Sequence, residues 1–478
     1  MATTHPDSPV RPRHTQSVEY QSASVTESRN SLMRDIPEVP EVSLTGLMDS
    51  VLYLAPTEEV DKVCKQLIAN GDIVNPETNA RWKCLPEDPK DVANGNGHAE
   101  FRVFKFFEQI ADAINRSCSK VETRPKLRVT GTTKPVSHRD NTSRPDGYFE
   151  LSSTNTGTPA SWADIVMPME FKNKDGAADK IDDYHKMMWS LNVVMRTDAR
   201  RRFVHGLTCE NTTGRLWYGD RSDIVVSEGF DVNKKWRCLV RIILSTLLAR
   251  KDQLGYDPSV VAHLFDKPKS EPVYDITIYN SKTKDATIYR TIDVISDAGA
   301  DNSVGRGTRV WSTQEMKDGE PVGPVYVLKG IWVHPDRPAE HAILEEIRKK
   351  QSDYSQYFLT PVNHGFAPLD PTNAPVPFDT HSPLGRKRDW KPTEQVLDMR
   401  PSDSMDTKTP SGTRNSVGPD QVAKPAEEGF RDFHRLSTDP RQLYWIVFKE
   451  RGTPVHDLTD FTKVFTAIRG AWEGKRNP

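Results

Sequence analysis

The chain has 478 residues, 28% charged and 36% hydrophobic, with 35 prolines, a length that suits two to three domains and a composition that suits folded parts separated by disordered ones. Its 65 basic and 67 acidic side chains leave a net charge of −2, so no global field draws the protein to nucleic acid or membrane, and any such contact has to be local. No apolar run approaches the roughly 20 residues of a spanning helix, the opening MATTHPDSPVRPRHTQS has no signal-peptide core, and five scattered cysteines without a CxxC read as reduced thiols in a cytoplasmic or nuclear protein.

Residues 1–40 are rich in Ser, Thr, Pro and Arg without periodicity and read as a disordered tail. A first folded unit spans 41–290. AEFRVFKFFEQIADAINRSC, 99–118, has Phe101, Phe104, Phe107, Ile110, Ala111 and Ile114 at helical spacing. Strands are expected at KLRVTG, DGYFEL and ADIVMPMEFK, and a helix over 181–200. A hairpin turns around Asn211 to Gly214, and an apolar helix over 235–255 is closed by a glycine. Met187, Met188, Trp189, Leu191, Val194 and Met195 make a stripe that core packing explains. Trp217, Trp236, Trp311 and Trp332 read as core anchors, and His205 as a satisfied polar residue in a strand.

A second unit spans 291–367. TIDVISDAGADNSVGRGTRVWSTQ is strand, glycine-rich turn and strand, VYVLKGIW is a strand, and PAEHAILEEIRKKQ is a helix opened by Pro338. FLTPVNHGF is a further short strand. Residues 368–428 hold almost no aromatic or branched side chains and read as a disordered insertion, with GRKRDWK (385–391) a solubilising charge run and a candidate import or nucleic-acid signal. Structure resumes over 429–478 with a strand, a linker and a helix.

VYVLKGIW sets Lys329 inside an apolar, β-branched run, where an unpartnered amine is costly. Upstream, GRGTRVW offers Gly305 and Gly307, which allow backbone amides to approach phosphate oxygens that an amine on the neighbouring strand can neutralise. Downstream, Glu340 lies early in a helix and can hold the amine; Glu345 is the alternative partner. Glycine loop, strand lysine and helix glutamate in this order describe the small lobe of a protein kinase.

WADIVMPMEFKNK, DARRRFVHGLTCENTTGRLWYGDRS, QLGYDPSV and KGIWVHPDRPAEHAILEEI together resemble the fungal-type protein kinases of mushroom-forming fungi, over roughly residues 40–478 apart from the insertion. The resemblance implies ATP binding by Gly305, Gly307 and Lys329, Glu340 as ion-pair partner, and phosphorylation of proteins whose identity it leaves open. It also implies an α+β architecture of a pre-kinase domain followed by an incomplete kinase-like small lobe. Transfer further needs a catalytic-loop Asp, an Asn and a metal-binding Asp, and none follows the last strand. SHRD, His138 to Asp140, lies upstream and has no LxxxN after it. The expectation is therefore a truncated or pseudokinase-like chain with little or no transfer, or a vestigial interaction protein.

The pre-kinase domain carries a second set of candidates. Asp146 sits at one strand, and Glu170 and Lys172 point to one face of another. With Glu100 on the first helix, they form an acidic pair and lysine of the kind that holds Mg²⁺ in restriction-endonuclease-like nucleases. The succession of helix, three strands, helix and two strands over 99–225 suits that core, with Tyr184 and His185 bordering the cleft. The alternative is a cross-strand salt bridge on a solvated face. RTDARRR, 196–202, is a candidate phosphate contact or a complement to a helix C-terminus.

Overall fold

The computed structural model describes residues 25–96, 100–118, 125–131, 133–139, 141–151, 159–263, 271–372, 376–400, 436–452 and 460–475. It is α+β. The first half runs α1 (Val25–Asp35), β1 (Glu38–Val42), α2 (Leu44–Val51), α3 (Thr57–Ala69), the short pair β2 (Ile73–Val74) and β3 (Arg81–Trp82), α4 (Pro89–Asn96), α5 (Glu100–Val103) and α6 (Phe106–Ser117). Strands β4 (Lys126–Val129), β5 (Gly147–Glu150) and β6 (Ile165–Lys172) follow, then α7 (Ala177–Thr197), β7 (Phe203–Glu210), β8 (Thr213–Asp220), β9 (Ile224–Ser227), β10 (Phe230–Asp231) and α8 (Trp236–Leu248). The aromatic-rich helix expected over 99–118 is broken at Phe104 and Lys105, where Phe104 stacks on Phe171 of β6 at 4.6 Å between ring centroids.

β4, β5 and β6 form an antiparallel meander, and α7 carries the chain across to β7, which pairs parallel to β6. The parallel step requires a crossover of this length, because a tight turn cannot reverse direction twice. β7 and β8 make the expected hairpin, turning at Asn211 with φ 55°. Every residue of β6 and β7 is buried, since α7 covers one face of this sheet and α6 and α8 the other.

The second half contributes β11 (Val260–His263), β12 (Val273–Tyr279), β13 (Ala286–Ser296), β14 (Arg309–Lys317), β15 (Glu320–Val333), α9 (Glu340–Lys350), β16 (Pro361–Phe366), β17 (Pro392–Asp398), β18 (Gln442–Phe448) and α10 (Phe461–Lys475). Seven of these strands make an antiparallel sheet in the order β11-β12-β13-β14-β15-β18-β16. Consecutive hairpins lay down β12 to β15; α9 then intervenes, and β16 lands at the edge with β18 filling the gap beside β15. Alternation in β15 gives the sheet two apolar faces. Leu328 and Trp332 join Trp311 and Trp445 in the core shared with the first half, whereas Val327 and Ile331 join Tyr444, Ile446 and Phe448 on the face toward α9. Gly330 lets the Trp445 ring lie flat on β15, because a Cβ there would sit 2.3 Å from that ring.

Two expectations of disorder are corrected. Residues 25–40 form α1 and β1, burying Leu32, Met33 and Val39, while residues 1–24 lie outside the described ones. Residues 376–400 are folded: β17 pairs antiparallel with β1 and completes the first sheet. The run GRKRDWK is an internal tether. Arg386 donates to Leu52 O at 2.6 Å, Arg388 meets Asp223 at 2.9 Å and Asp220 at 3.7 Å, and Trp390 packs edge-on against Tyr218. Composition misses these segments because their order comes from pairing with distant strands. RTDARRR is likewise buried, with Arg201 donating to Ala163 O, Ile165 O and Tyr256, Arg202 to Asp257, and Arg200 to Asp198.

Arg388 is 6% exposed and faces two buried carboxylates, so Arg388→Ala lowers the unfolding free energy by about 3–5 kcal/mol in urea titration, the cost of stranding a buried charge. A loss within about 0.5 kcal/mol, typical of a surface site, would contradict the docking of 376–400.

Candidate functional site

Lys329 lies midway along β15, opposite Val310 of β14 and Ile446 of β18, on the face toward α9. Glu340 occupies the first turn of α9, after Pro338 and the extended N-cap Ala339. Lys329 Nζ donates to Glu340 Oε2 at 2.7 Å, with side chains 21% and 37% exposed. The amine thus stands at the rim of an apolar surface, neutralised by a carboxylate that the helix N-terminus tolerates well. At this exposure the pair adds at most about 1 kcal/mol to stability, which makes it a placed charge more than a structural staple. Glu345, the alternative partner, is taken by Lys282 of the β12–β13 turn at 2.6 Å.

The glycine turn departs from expectation. Gly305 and Gly307 have φ of +128° and +51°, conformations that favour glycine. The Gly305 amide is used by Arg221 O at 2.8 Å, and a Cβ on Gly307 would meet the Arg221 guanidinium at 2.9 Å and Trp332 at 3.0 Å. Trp332 and Lys329 point to opposite faces of β15, so the glycines turn toward the first half of the chain and not over Lys329. The turn is fixed there by Arg139, which pairs with Asp297 and with Asp301 at 2.9 Å, and by Ser303, which donates to Asn192 at 2.9 Å. Within SHRD, His138 meets Glu271 at 2.5 Å and Arg139 anchors this turn, while Asp140 lies outside the described residues.

Behind Glu340, His341 stacks on His364 of β16 with ring centroids 3.5 Å apart and its Nδ1 2.7 Å from Tyr444 Oη. Burial, and then the neighbouring His341, push His364 down to about 4; burial also lowers His341. No sequence pattern marks this pair, because its members come from α9 and β16 and meet only through the sheet order.

The second set converges on a different cavity, of about 500 Å³, lined by Arg29, Glu100, Arg144, Asp146, Glu170 and Lys186 among others. Glu170 is 2% exposed. Its Oε1 accepts from Ser190 at 2.7 Å and its Oε2 has no hydrogen-bond partner. Burial, reinforced by Asp146, raises its carboxyl to about 8. Asp146 Oδ2 accepts the Phe171 amide at 3.0 Å. Lys172 is held outside the cavity by Asp182 at 2.7 Å and Glu100 at 3.3 Å. Burial raises Glu100 against the opposing pull of Lys172. Tyr184 and His185 do not border this cavity. Tyr184 packs on Trp217, and Lys186, Trp189 and Ser190 of the same helix take the wall instead. Nearby, Asp183 and Glu210 are completely buried; burial and the Glu210 charge drive Asp183 far up. His205 is a satisfied core histidine on Val51 O at 2.9 Å.

Among the described residues, no three His, Cys, Asp or Glu side chains are grouped to hold a metal ion, and no helix is long and apolar enough to cross a membrane. A family model described as fungal protein kinase matches residues 144–477. No curated protein and no solved structure matches the chain significantly.

The histidine pair sets a pH dependence. Both are neutral in the folded protein at pH 7, and their folded values lie below the unfolded value of about 6.5. Their contribution is therefore complete above that value and is lost as pH falls toward about 4. Between pH 7.5 and 5, the stability advantage of the wild type over His364→Gln shrinks by on the order of 1–2 kcal/mol in chemical denaturation. A difference constant with pH would contradict it.

Proposed function

Since the chain belongs to the fungal protein kinase family, we propose that β14, β15, β18 and α9 bind ATP·Mg²⁺ as the nucleotide-holding part of a protein phosphotransferase. The observation that carries this reading is the Lys329–Glu340 pair at 2.7 Å on an apolar sheet face. Val310, Val327 and Ile446 around the lysine offer a surface for an adenine ring. Lys329, held in place by Glu340, would supply positive charge to phosphate oxygens, and Mg²⁺ arriving with the nucleotide would add further charge neutralisation. The glycine turn serves in this reading as a fixed corner that starts β14 beside Lys329, since its Gly305 amide is engaged by Arg221.

The property proposed for these 478 residues is binding without transfer. The only HRD string is spent on structural contacts through His138 and Arg139, far from Lys329 in the chain. A protein partner is part of the proposal only in kind, as the recipient or regulator that the family implies.

Saturating ATP·Mg²⁺, at about 100 times its dissociation constant, stabilises the chain by about 2.7 kcal/mol. Lys329→Met weakens binding by at least about tenfold and Glu340→Gln by a smaller factor, read by thermal shift and by displacement of a fluorescent nucleotide. An equal shift in wild type and Lys329→Met would remove the assignment. Labelled γ-phosphate transfer that depends on Lys329 would refute binding without transfer.

A further inference from the structure

The nucleotide reading leaves the cavity of the first half unused. We infer that this cavity is a divalent-cation site, held by Asp146 and Glu170, whose coordination is completed by a phosphate ester.

The argument begins with an oxygen that has nothing to bind. Glu170 is placed by β6, every residue of which is buried, and faces α7, where Ser190 satisfies Oε1. Oε2 remains buried without a donor, and a buried acceptor left unmade is destabilising. Asp146 lines the same cavity and is fixed there by the amide of Phe171, the residue after Glu170. Asp146 and the buried Glu170 disfavour each other's charge in one cavity, and a cation between them would relieve this. Lys172, the nearest lysine in sequence, is committed to Asp182 and Glu100 and does not line the cavity.

The absence, among the described residues, of a third grouped His, Cys, Asp or Glu ligand selects the kind of ion. Zinc sites of three or four protein ligands do not fit. Mg²⁺ and Mn²⁺ do, because hard ions of this size are commonly held by one or two carboxylates, keep several waters, and exchange some of those waters for phosphate oxygens. The remaining lining supplies the counterpart. Arg29 from α1, Arg144 and Lys186 place three positive charges on the same cavity against the three carboxyl groups of Glu100, Asp146 and Glu170; a dication added to that balanced lining leaves an excess of positive charge that an anionic ligand offsets. A volume of about 500 Å³ is that of a small-molecule site. A phosphate ester satisfies both halves, its oxygens reaching the ion and the guanidinium groups together. The proposal is of binding, because the lysine that would assist water attack is held elsewhere.

The test uses the full chain carrying Lys329→Met, so that the small lobe contributes nothing. Titration with Mn²⁺ raises the melting temperature saturably. Glu170→Gln, which keeps the side-chain volume but cannot ionise to meet a cation, reduces the Mn²⁺ response at least fivefold. Asp146→Asn reduces it likewise. An equal Mn²⁺ response in the parent and in Glu170→Gln overturns the cation site, and a cooperative metal-free melting transition shows that the variant is folded. With Mn²⁺ present, either a short single-stranded oligonucleotide or glycerol 2-phosphate adds a second shift that Arg144→Ala diminishes; the responding probe identifies a diester or a monoester. No added shift from either overturns the phosphate half.

Discussion

The structure depends on positive charge placed where water is absent. Arg221, completely buried at the β8–β9 turn, donates to Ala300 O, Asn302 O and Met195 O, while its own carbonyl receives the Gly305 amide. Burial depresses its guanidinium to about 9, a sign of how dry the site is. Arg309 reaches Arg196 O from β14 at 2.6 Å, and Arg139 pairs with the acidic residues of the same turn. A guanidinium is well suited to this task because its planar fork satisfies several carbonyls at once and it holds its proton under desolvation. The two sheets are thereby riveted at the corner from which β14 starts, and everything proposed for Lys329 inherits its position from that corner.

Seen from this joint, the lysine in VYVLKGIW is no anomaly. The face of β15 turned to the first half is filled by Leu328 and Trp332, and the opposite face carries the amine with its carboxylate. The same strand thus serves as packing surface and as charge carrier, a division that the period-two alternation of a strand makes possible. The second cavity follows a different physical rule. There one carboxyl group, that of Glu170, is enclosed and left with an unmet oxygen, and the affinity proposed for the cavity comes from relieving it.

Much of this was legible in the chain itself. The helices expected over 181–200 and 235–255 and found at 177–197 and 236–248, the hairpin at Asn211 and the strand, turn and strand leading to Lys329 follow from periodicity and turn chemistry; the order of strand lysine and helix carboxylate points to an ion pair but leaves Glu340 and Glu345 both open. What was not legible depends on partners far away in sequence. Gly305 and Gly307 carry the composition of a phosphate loop, yet Arg221 determines which way they face. Residues 376–400 carry the composition of a linker, yet β1, Asp220 and Asp223 give them a shape. Local composition reports how much a segment can bury by itself, and a segment whose partners lie some 350 residues away has no local signature of them.

The pairing of β1 with β17 has one further consequence. Glu41 accepts from Thr393 across 352 positions of chain, so the outermost strand of the first sheet is borrowed from a stretch threaded between two neighbours of the second, β16 and β18. The first sheet cannot then be excised with its full complement of strands by one cut, and a boundary near residue 290 would amputate its rim. Closing this rim brings together ends of a very long contour and carries the corresponding loop-closure cost. A fragment that lacks β17 exposes the β1 edge to strand addition by another chain.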